Sequence, residues 1–417
     1  MPTEKPTHAP LLERLNEHLL NERYCSRVTR EYPAAASRFL SFLRQKDLGI
    51  EASRPVHVQE FLEQELQSYL RRYGRRPSNS CAWQRMPSAA VHMLLRLGLG
   101  QWPPPQDQAN AAESFRQRLC DEYAQWLSAC RALAPATIKA RSANALDLLQ
   151  SLEDRGTESG LALLTTGDID AYIKLKAPGL RRTTRAGMAT HLRSFLRFLH
   201  DQRRIGTDLA GAVLGPPRYL FEDIPSVLRP DDAVKVLKAC RKDQTSTGLR
   251  DYAILILLTS YGLRAGEVTG LRLDDIDWRN DRLRIRHSKT GGEVALPLLA
   301  PAGEAILRYI QRARPASKAR EIFIRMRAPY QAMRRGASLY GLVNRRLQQA
   351  GVQPVGRHGP HIFRHGLAVN LLRAGVSMKS IGDILGHKSA DSTAVYLKLA
   401  TEDLRSVALD LPGEVSR

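Results

Sequence analysis

Five short stretches in the second half of the chain carry side chains able to act on a phosphodiester. Arg264 follows Tyr261-Gly262-Leu263, so a tight turn presents it at the start of a short helix. Glu267 lies three residues on, within reach of Arg264 on the same face. Lys289 sits in His287-Ser288-Lys289-Thr290-Gly291-Gly292, a hairpin whose loop could carry an ammonium towards a substrate. Pro360-His361-Ile362-Phe363-Arg364-His365 opens a helix with His361 and Arg364 on one face, where the positive helix N-terminus adds to their affinity for anions. Leu385-Gly386-His387 ends the next helix with a loop histidine, and Tyr396 follows nine residues later, within a short helix after Ser392.

Metal-free phosphoryl transfer needs cations on the non-bridging oxygens, an in-line nucleophile and a proton donor for the leaving oxygen. Every part has a candidate here. A phenol with a pKa of ~10 is neutral at pH 7, so Tyr396 becomes a nucleophile only beside cations or a base. Taken singly, each stretch also has an ordinary reading: a surface ion pair, an exposed turn lysine, a packing tyrosine. His361 and His365 have the i,i+4 spacing of metal ligands, but a zincin needs a glutamate after the first histidine. Ile362 stands there, with no third ligand evident nearby.

The elements that must position these residues begin at about Ser226. Helices are expected at Pro230–Cys240, Gly248–Tyr261, Pro301–Arg312, Ser338–Ala350, His361–Arg373, Ser377–Leu385 and Ser392–Leu399. Between the second and third lie strands at Leu271–Asp275, Leu283–Arg286 and Val294–Pro297, joined by turns at Asn280-Asp281 and Gly291-Gly292. Gly351 and Gly375 stand where helix C-caps favour positive φ.

Two proline runs, Pro103-Pro104-Pro105 and Pro216-Pro217, divide the rest. The two pieces that they bound, residues 11–99 and 113–200, resemble each other. Thr29 opens a helical pattern burying Phe39, Leu40, Phe42 and Leu43, as Thr137 does for Leu146, Leu148, Leu149 and Leu152. Val58-x-x-Phe61 parallels Ile169-x-x-Tyr172, and the helix around His92 parallels the one around His191. A duplicated four-helix module is expected, with an insertion around Arg71–Arg76 in the first copy. Arg181, Arg182, Arg185, Arg193 and Arg197 stud the last helix of the second copy and make it a candidate DNA-facing element.

The formal net charge is +21, and arginine supplies 50 of the 63 basic residues. Its planar fork grips phosphate oxygens in pairs. The stretch Arg308 to Arg346, which includes Arg334 and Arg335, holds eleven Lys/Arg against one acid, Glu321. Such a run can be merely a solvated face, but with the whole-chain excess it favours a nucleic-acid partner. No apolar run reaches the ~18–20 residues of a membrane-spanning helix. Residues 1–10 lack a secretory layout, and Ala253 to Leu258 reads as a buried core helix. The five cysteines show no paired spacing and read as reduced, mostly buried thiols of a cytosolic protein.

In order and spacing, Gly-Leu-Arg264-x-x-Glu267, Lys289 in a hairpin, His361-x-x-Arg364-His365, Leu-Gly-His387 and Tyr396 strongly resemble the catalytic domain of tyrosine recombinases, the phage-integrase family. The likeness covers roughly residues 226–400 and is most specific from His361 to Tyr396. It implies a mainly α fold. Two helical DNA-binding modules, residues 1–105 and 110–214, precede an α-rich catalytic domain at 226–417 with a small three-stranded antiparallel sheet. The extra module at 11–99 is less usual for the family and could hold accessory DNA, enlarge the clamp or mediate protomer contacts. It also implies site-specific recombination through a 3′-phosphotyrosyl link to Tyr396. Arg264 and Arg364 would clamp the phosphate, Lys289 would protonate the 5′-oxygen, His361 would assist proton transfer with the tyrosine, and His387 would bond the phosphate. Glu267 and His365 would support rather than react, Glu267 orienting Arg264 or a neighbouring histidine. Arg334 and Arg335 join the arginines of the second module as candidate DNA contacts.

No cofactor, ATP or divalent metal is implied, and the partner is double-stranded DNA in a bacterial cytoplasm. The tail Thr401 to Leu411 has Leu404, Val407, Ala408 and Leu411 on one stripe, which in this family commonly docks on a neighbouring protomer and implies a cyclic tetramer. Phe363 and Gly366 depart from the family pattern, which more often has Leu and Ser or Thr there. The rival readings are a type IB topoisomerase-like relaxer and a DNA-binding protein with a dead site.

Overall fold

The computed structural model describes residues 9–104, 111–217, 226–287, 292–333, 337–354, 356, 358–386, 391–394, 396 and 397. Its chain falls into two compact units, Pro105–Glu222 and a second that joins Met1–Pro104 to Asp223–Arg417. The unit borders fall at or within a few residues of the two proline runs.

The first module packs α1 (Ala9–Asn21), α2 (Ser26–Gln45), α3 (Pro55–Tyr73) and α4 (Ser80–Leu99). Its core holds Leu15, Leu19, Phe39, Leu43, Phe61, Leu94 and Leu95. The turn Asn21–Arg23 meets Ala316–Ala319 and Tyr330–Ala332 of the same unit across a cleft. The second unit repeats the pattern with α5 (Ala111–Ala129), α6 (Pro135–Ser151), α7 (Thr166–Lys176) and α8 (Arg182–Asp201). Val58 and Phe61 on α3 are buried in the same role as Ile169 and Tyr172 on α7. α3 runs 19 residues against 11 for α7, which places the first copy's insertion at the end of its third helix. Equivalent histidines sit on the closing helices. His92 accepts a hydrogen bond from Trp102 Nε1 at 2.6 Å, whereas His191 Nδ1 is buried with no partner among the described residues. Burial holds both imidazoles below the ordinary histidine value.

The remaining part of the first unit continues with α9 (Pro230–Lys242) and α10 (Ser246–Tyr261). Ile254, Leu255, Leu257 and Leu258 on α10 are fully buried, each worth about 1.5–3 kcal/mol of transfer free energy. Next come α11 (Ala265–Thr269) and a sheet of β1 (Ile276–Asp277), β2 (Arg282–Arg286) and β3 (Glu293–Pro297) in the order β1-β2-β3, all antiparallel. Leu283 and Ile285 point into the core while their neighbours on β2 face out. The chain closes with α12 (Ala300–Arg312), α13 (Ala337–Gln349), α14 (His361–Arg373), α15 (Met378–Leu385) and α16 (Asp391–Ala394). Gly351 and Gly375 take positive φ, 66° and 78°. Among the described residues no helix is long and apolar enough to cross a membrane.

Four expectations need correction. The first strand is not Leu271–Asp275, because Asp275 accepts a hydrogen bond from the N–H of Arg272 at 2.8 Å and folds the segment into a 3₁₀ turn. Pairing begins at Ile276. The helix expected over Ser392–Leu399 is broken at Tyr396, which stands in a turn after α16 with its N–H donating to the Thr393 carbonyl at 3.0 Å. Leu397 is again helical, and Leu399 lies outside the described residues. Cys25, Cys81 and Cys130 are exposed, at or just beyond helix ends, and only Cys120 and Cys240 are buried. Burial raises these two thiols to about 11 and about 12.

The basic run at 308–346 is also less free than its composition implies. Arg314 is spent on the carbonyls of Ala319, Glu321 and Ile322, and Arg320 pairs with Asp274. Arg345 and Arg346 converge on Asp251, which is fully buried and also holds Arg250. Arg334 and Arg335 lie outside the described residues.

Candidate active site

Arg264 is delivered by a sharp reversal. α10 ends at Tyr261, Gly262 turns the chain in the left-handed region at φ 60°, and Arg264 becomes the N-cap of α11. Glu267, one turn in, returns the contact twice. It accepts from the Arg264 N–H at 2.8 Å and from Nη1 at 2.9 Å. The same carboxylate lies 2.8 Å from His287 Nδ1, at the end of β2. Burial alone would raise Glu267, but His287, the Arg264 N–H and its guanidinium hold it below the ordinary carboxylate value.

Arg364 rises from the first turn of α14 and is 4% exposed. Nη1 donates to the Gly262 carbonyl at 2.8 Å and Nη2 to the Leu385 carbonyl. Arg264 Nη2 donates to the next carbonyl, that of Gly386, at 3.0 Å. These contacts fix both forks. Burial, with Arg264 nearby, lowers Arg364 to about 10. Gly386 itself has φ 63°, and a Cβ there would stand 2.7 Å from the His287 ring.

Tyr396 completes the cluster at 2% exposure. Its phenolic oxygen is 3.1 Å from His365 Nδ1 and hydrogen-bonds Arg364. Burial pushes the phenol above its ordinary value, against the opposing pull of Arg364 and Arg264. The His361 ring is exposed at the head of α14, stacked with His365 at 6.1 Å between centroids. Arg264, Glu267, Arg364, His365 and Tyr396 thus gather in one place. Lys289 and His387 lie outside the described residues. Their neighbours do not: the His287 N–H closes the Lys289 hairpin on the Gly292 carbonyl at 2.8 Å, and Gly386 precedes His387.

His287 and Gly386 are the parts that sequence reasoning missed. An imidazole two residues before the hairpin lysine was the available signal. The departure at Gly366 has a steric cause, since a Cβ there would meet the Leu228 carbonyl at 2.6 Å, and Phe363 is core.

On the second unit, Arg197 and Arg193 line a cleft of about 500 Å³ with Arg131, Arg141, Thr190 and Ser194. Arg193 is partly committed, donating to the Val213 carbonyl at 2.9 and 3.1 Å, and Arg182 donates to that of Pro217 at 2.9 Å. Arg181 and Arg185 are exposed. Arg131 and Arg141 escaped the sequence reading because they lie outside α8.

Residues 226–403 match the model of the phage integrase family. A putative integrase/recombinase of Sinorhizobium fredii, y4rA, is 33% identical over 95% of this chain and 93% of its own. The chain belongs to the phage integrase family of tyrosine recombinases. A second relative from Sinorhizobium fredii, y4gC, is 57% identical over 46% of this chain and its own full length. The fold matches that of the XerH site-specific recombinase bound to its difH substrate (TM-score 0.54, 16% identity, covering 76% of this chain and 87% of that one). Membership in the tyrosine recombinases makes the chain a site-specific recombinase, with the cluster around Tyr396 as its candidate active site.

Proposed function

We propose that Tyr396 attacks the scissile phosphate of double-stranded DNA, with Arg264 and Arg364 holding the non-bridging oxygens. One observation carries this reading: a buried phenol at hydrogen-bond distance from His365 and bonded to Arg364, with Arg264 within electrostatic reach. The phenolic oxygen bonds to phosphorus and the bond from phosphorus to the 5′-oxygen breaks. The phenol's proton passes to an imidazole, and Lys289 protonates the departing 5′-oxygen. The product is a 3′-phosphotyrosyl link and a free 5′-hydroxyl, so the bond energy stays in the ester until another 5′-hydroxyl attacks it.

His365 takes the phenol's hydrogen bond in this scheme and His361 stands behind it. His387 bonds the phosphate. Glu267 orients Arg264 and, through His287, the base of the Lys289 hairpin. Arg181, Arg185 and Arg197, with Arg131 and Arg141, hold the DNA backbone. Arg334 and Arg335 are further contacts.

The three pieces at 1–105, 110–214 and 226–417 serve as two helical DNA-binding modules and a catalytic domain. The apolar stripe of Leu404, Val407, Ala408 and Leu411 supports docking of the tail on a neighbouring protomer in a cyclic tetramer; these residues lie outside the described ones. Acting on genomic DNA would place the protein with the nucleoid in the cytoplasm.

The test uses DNA flanking this gene on two distinguishable plasmids. Exchange of flanks between them is the expected outcome. Relaxation without exchange would support the topoisomerase-like reading instead, and neither would support an inert binder.

A further inference from the structure

The basic side chains of the first module differ in how they are held. Arg27, Arg38 and Lys46 are tied to Glu31, Glu65 and Glu60. Arg71, Arg72, Arg75 and Arg76, at the corner between α3 and α4, are all exposed, and none pairs with a carboxylate among the described residues. Arg71 and Arg72 lie in the last turn of α3, where a cation also suits the helix dipole. Arg75 and Arg76 lie beyond the helix, past Gly74 at φ 65°, where the dipole gives no such reason.

The corner is braced. Tyr69 packs on Tyr73 with tilted rings at 4.6 Å and meets Trp83 of α4 edge-on at 5.3 Å. The Arg72 guanidinium lies 5.6 Å over the Tyr73 ring. Little backbone entropy therefore remains to be lost when a ligand binds.

The second module also turns on a glycine after its third helix and follows it with arginines, although Arg71 to Arg76 themselves fall in the first copy's insertion. Its third helix ends at Lys176, Gly179 turns at φ 77°, and Arg181, Arg182 and Arg185 follow. Two arginines of that module's basic cleft have no counterpart in the first copy. Counting from the paired histidines, Leu94 stands where Arg193 does. Counting from Thr29 and Thr137, Pro33 stands where Arg141 does. The first copy thus carries arginines at its corner and lacks Arg141 and Arg193 of the second module's cleft.

We propose that Arg71, Arg72, Arg75 and Arg76 form a phosphate-binding corner that grips the backbone of duplex DNA, in addition to any contacts made by the second module. Unpaired guanidinium forks on a rigid turn suit successive phosphates, and no base need be read. The proposal rests on the recombinase reading only in taking DNA as the ligand.

The test is a salt titration of full-length protein binding to a labelled duplex several helical turns long, comparing wild type with R71A/R72A/R75A/R76A. Each phosphate neutralised contributes ~0.9 to the slope of log K against log salt, so the variant should lose about 3–4 of slope. Lysine at all four positions should restore most of it. The thermal midpoint should fall only slightly, because the four side chains are exposed and only the dipole and Tyr73 contacts of Arg71 and Arg72 are lost. Covalent adduct formation on a short nicked duplex should persist in the variant. An unchanged slope would overturn the proposal, and so would an unchanged slope with altered oligomeric state, which would make the corner protein-facing. Absence of adduct in the wild type would instead strike the reading of Tyr396 and leave the salt comparison standing.

Discussion

His365 Nδ1 lies 3.1 Å from the phenolic oxygen of Tyr396, on the same helix turn that delivers Arg364. A phenol whose pKa is raised by burial ionises poorly at neutral pH, so an acceptor at this distance matters most there. His365→Ala should slow single-turnover cleavage by about 10²–10⁴-fold at pH 7. The deficit should shrink as pH rises and the phenol ionises unaided. A deficit equal at every pH would mean that His365 only packs.

Glu267 ties Arg264 to His287 from a site 4% exposed. Its folded pKa lies below the ordinary 4.5, so its contribution to stability is fully present above that value. That contribution is lost as pH falls through the lower, folded value. Glu267→Gln should lower the thermal midpoint at pH 7, and the gap from wild type should narrow below about pH 4. A gap that stays constant into acid would contradict the assignment.

Gly386 links two halves of the site, accepting from Arg264 through its carbonyl while its α-carbon faces His287. Gly386→Ala adds a left-handed cost of about 1–2 kcal/mol and a clash with the ring. Urea unfolding should show at least that loss, with cleavage reduced further than DNA binding. Adding His287→Ala should restore part of the stability, because it removes the ring that the new methyl strikes. Fully additive losses would mean the two residues do not meet.

Asp251 is fully buried among Arg250, Arg345 and Arg346. Removing one partner of a buried charge network leaves the others uncompensated. Asp251→Ala should therefore cost about 3–5 kcal/mol by denaturant unfolding. A cost under about 1 kcal/mol would show that solvent already screens these arginines.

What could be read from the residues alone was mostly local. The start of α14 at His361 follows from Pro360, and the turn before Arg264 follows from Gly262, whose φ of 60° suits glycine. The likeness of the two helical modules was visible because the buried pairs Val58 with Phe61 and Ile169 with Tyr172 recur at one spacing. What failed depended on partners distant in sequence. Arg345 and Arg346 looked like part of a DNA-attracting run, but Asp251, which claims them, lies more than ninety residues away. His287 gains its place only when β2 is laid beside α11. The segment Leu271–Asp275 alternates like a strand, yet one carboxylate-to-backbone hydrogen bond turns it.

The central claim is that Tyr396 becomes joined to DNA through a phosphate. The direct measurement is mass spectrometry of protein trapped on a nicked suicide duplex drawn from the DNA flanking this gene. The prediction is a nucleotide adduct on the peptide containing Tyr396, with a free 5′-hydroxyl on the released strand and no adduct in Tyr396→Phe. An adduct on any other residue, or one that persists in Tyr396→Phe, would contradict the account.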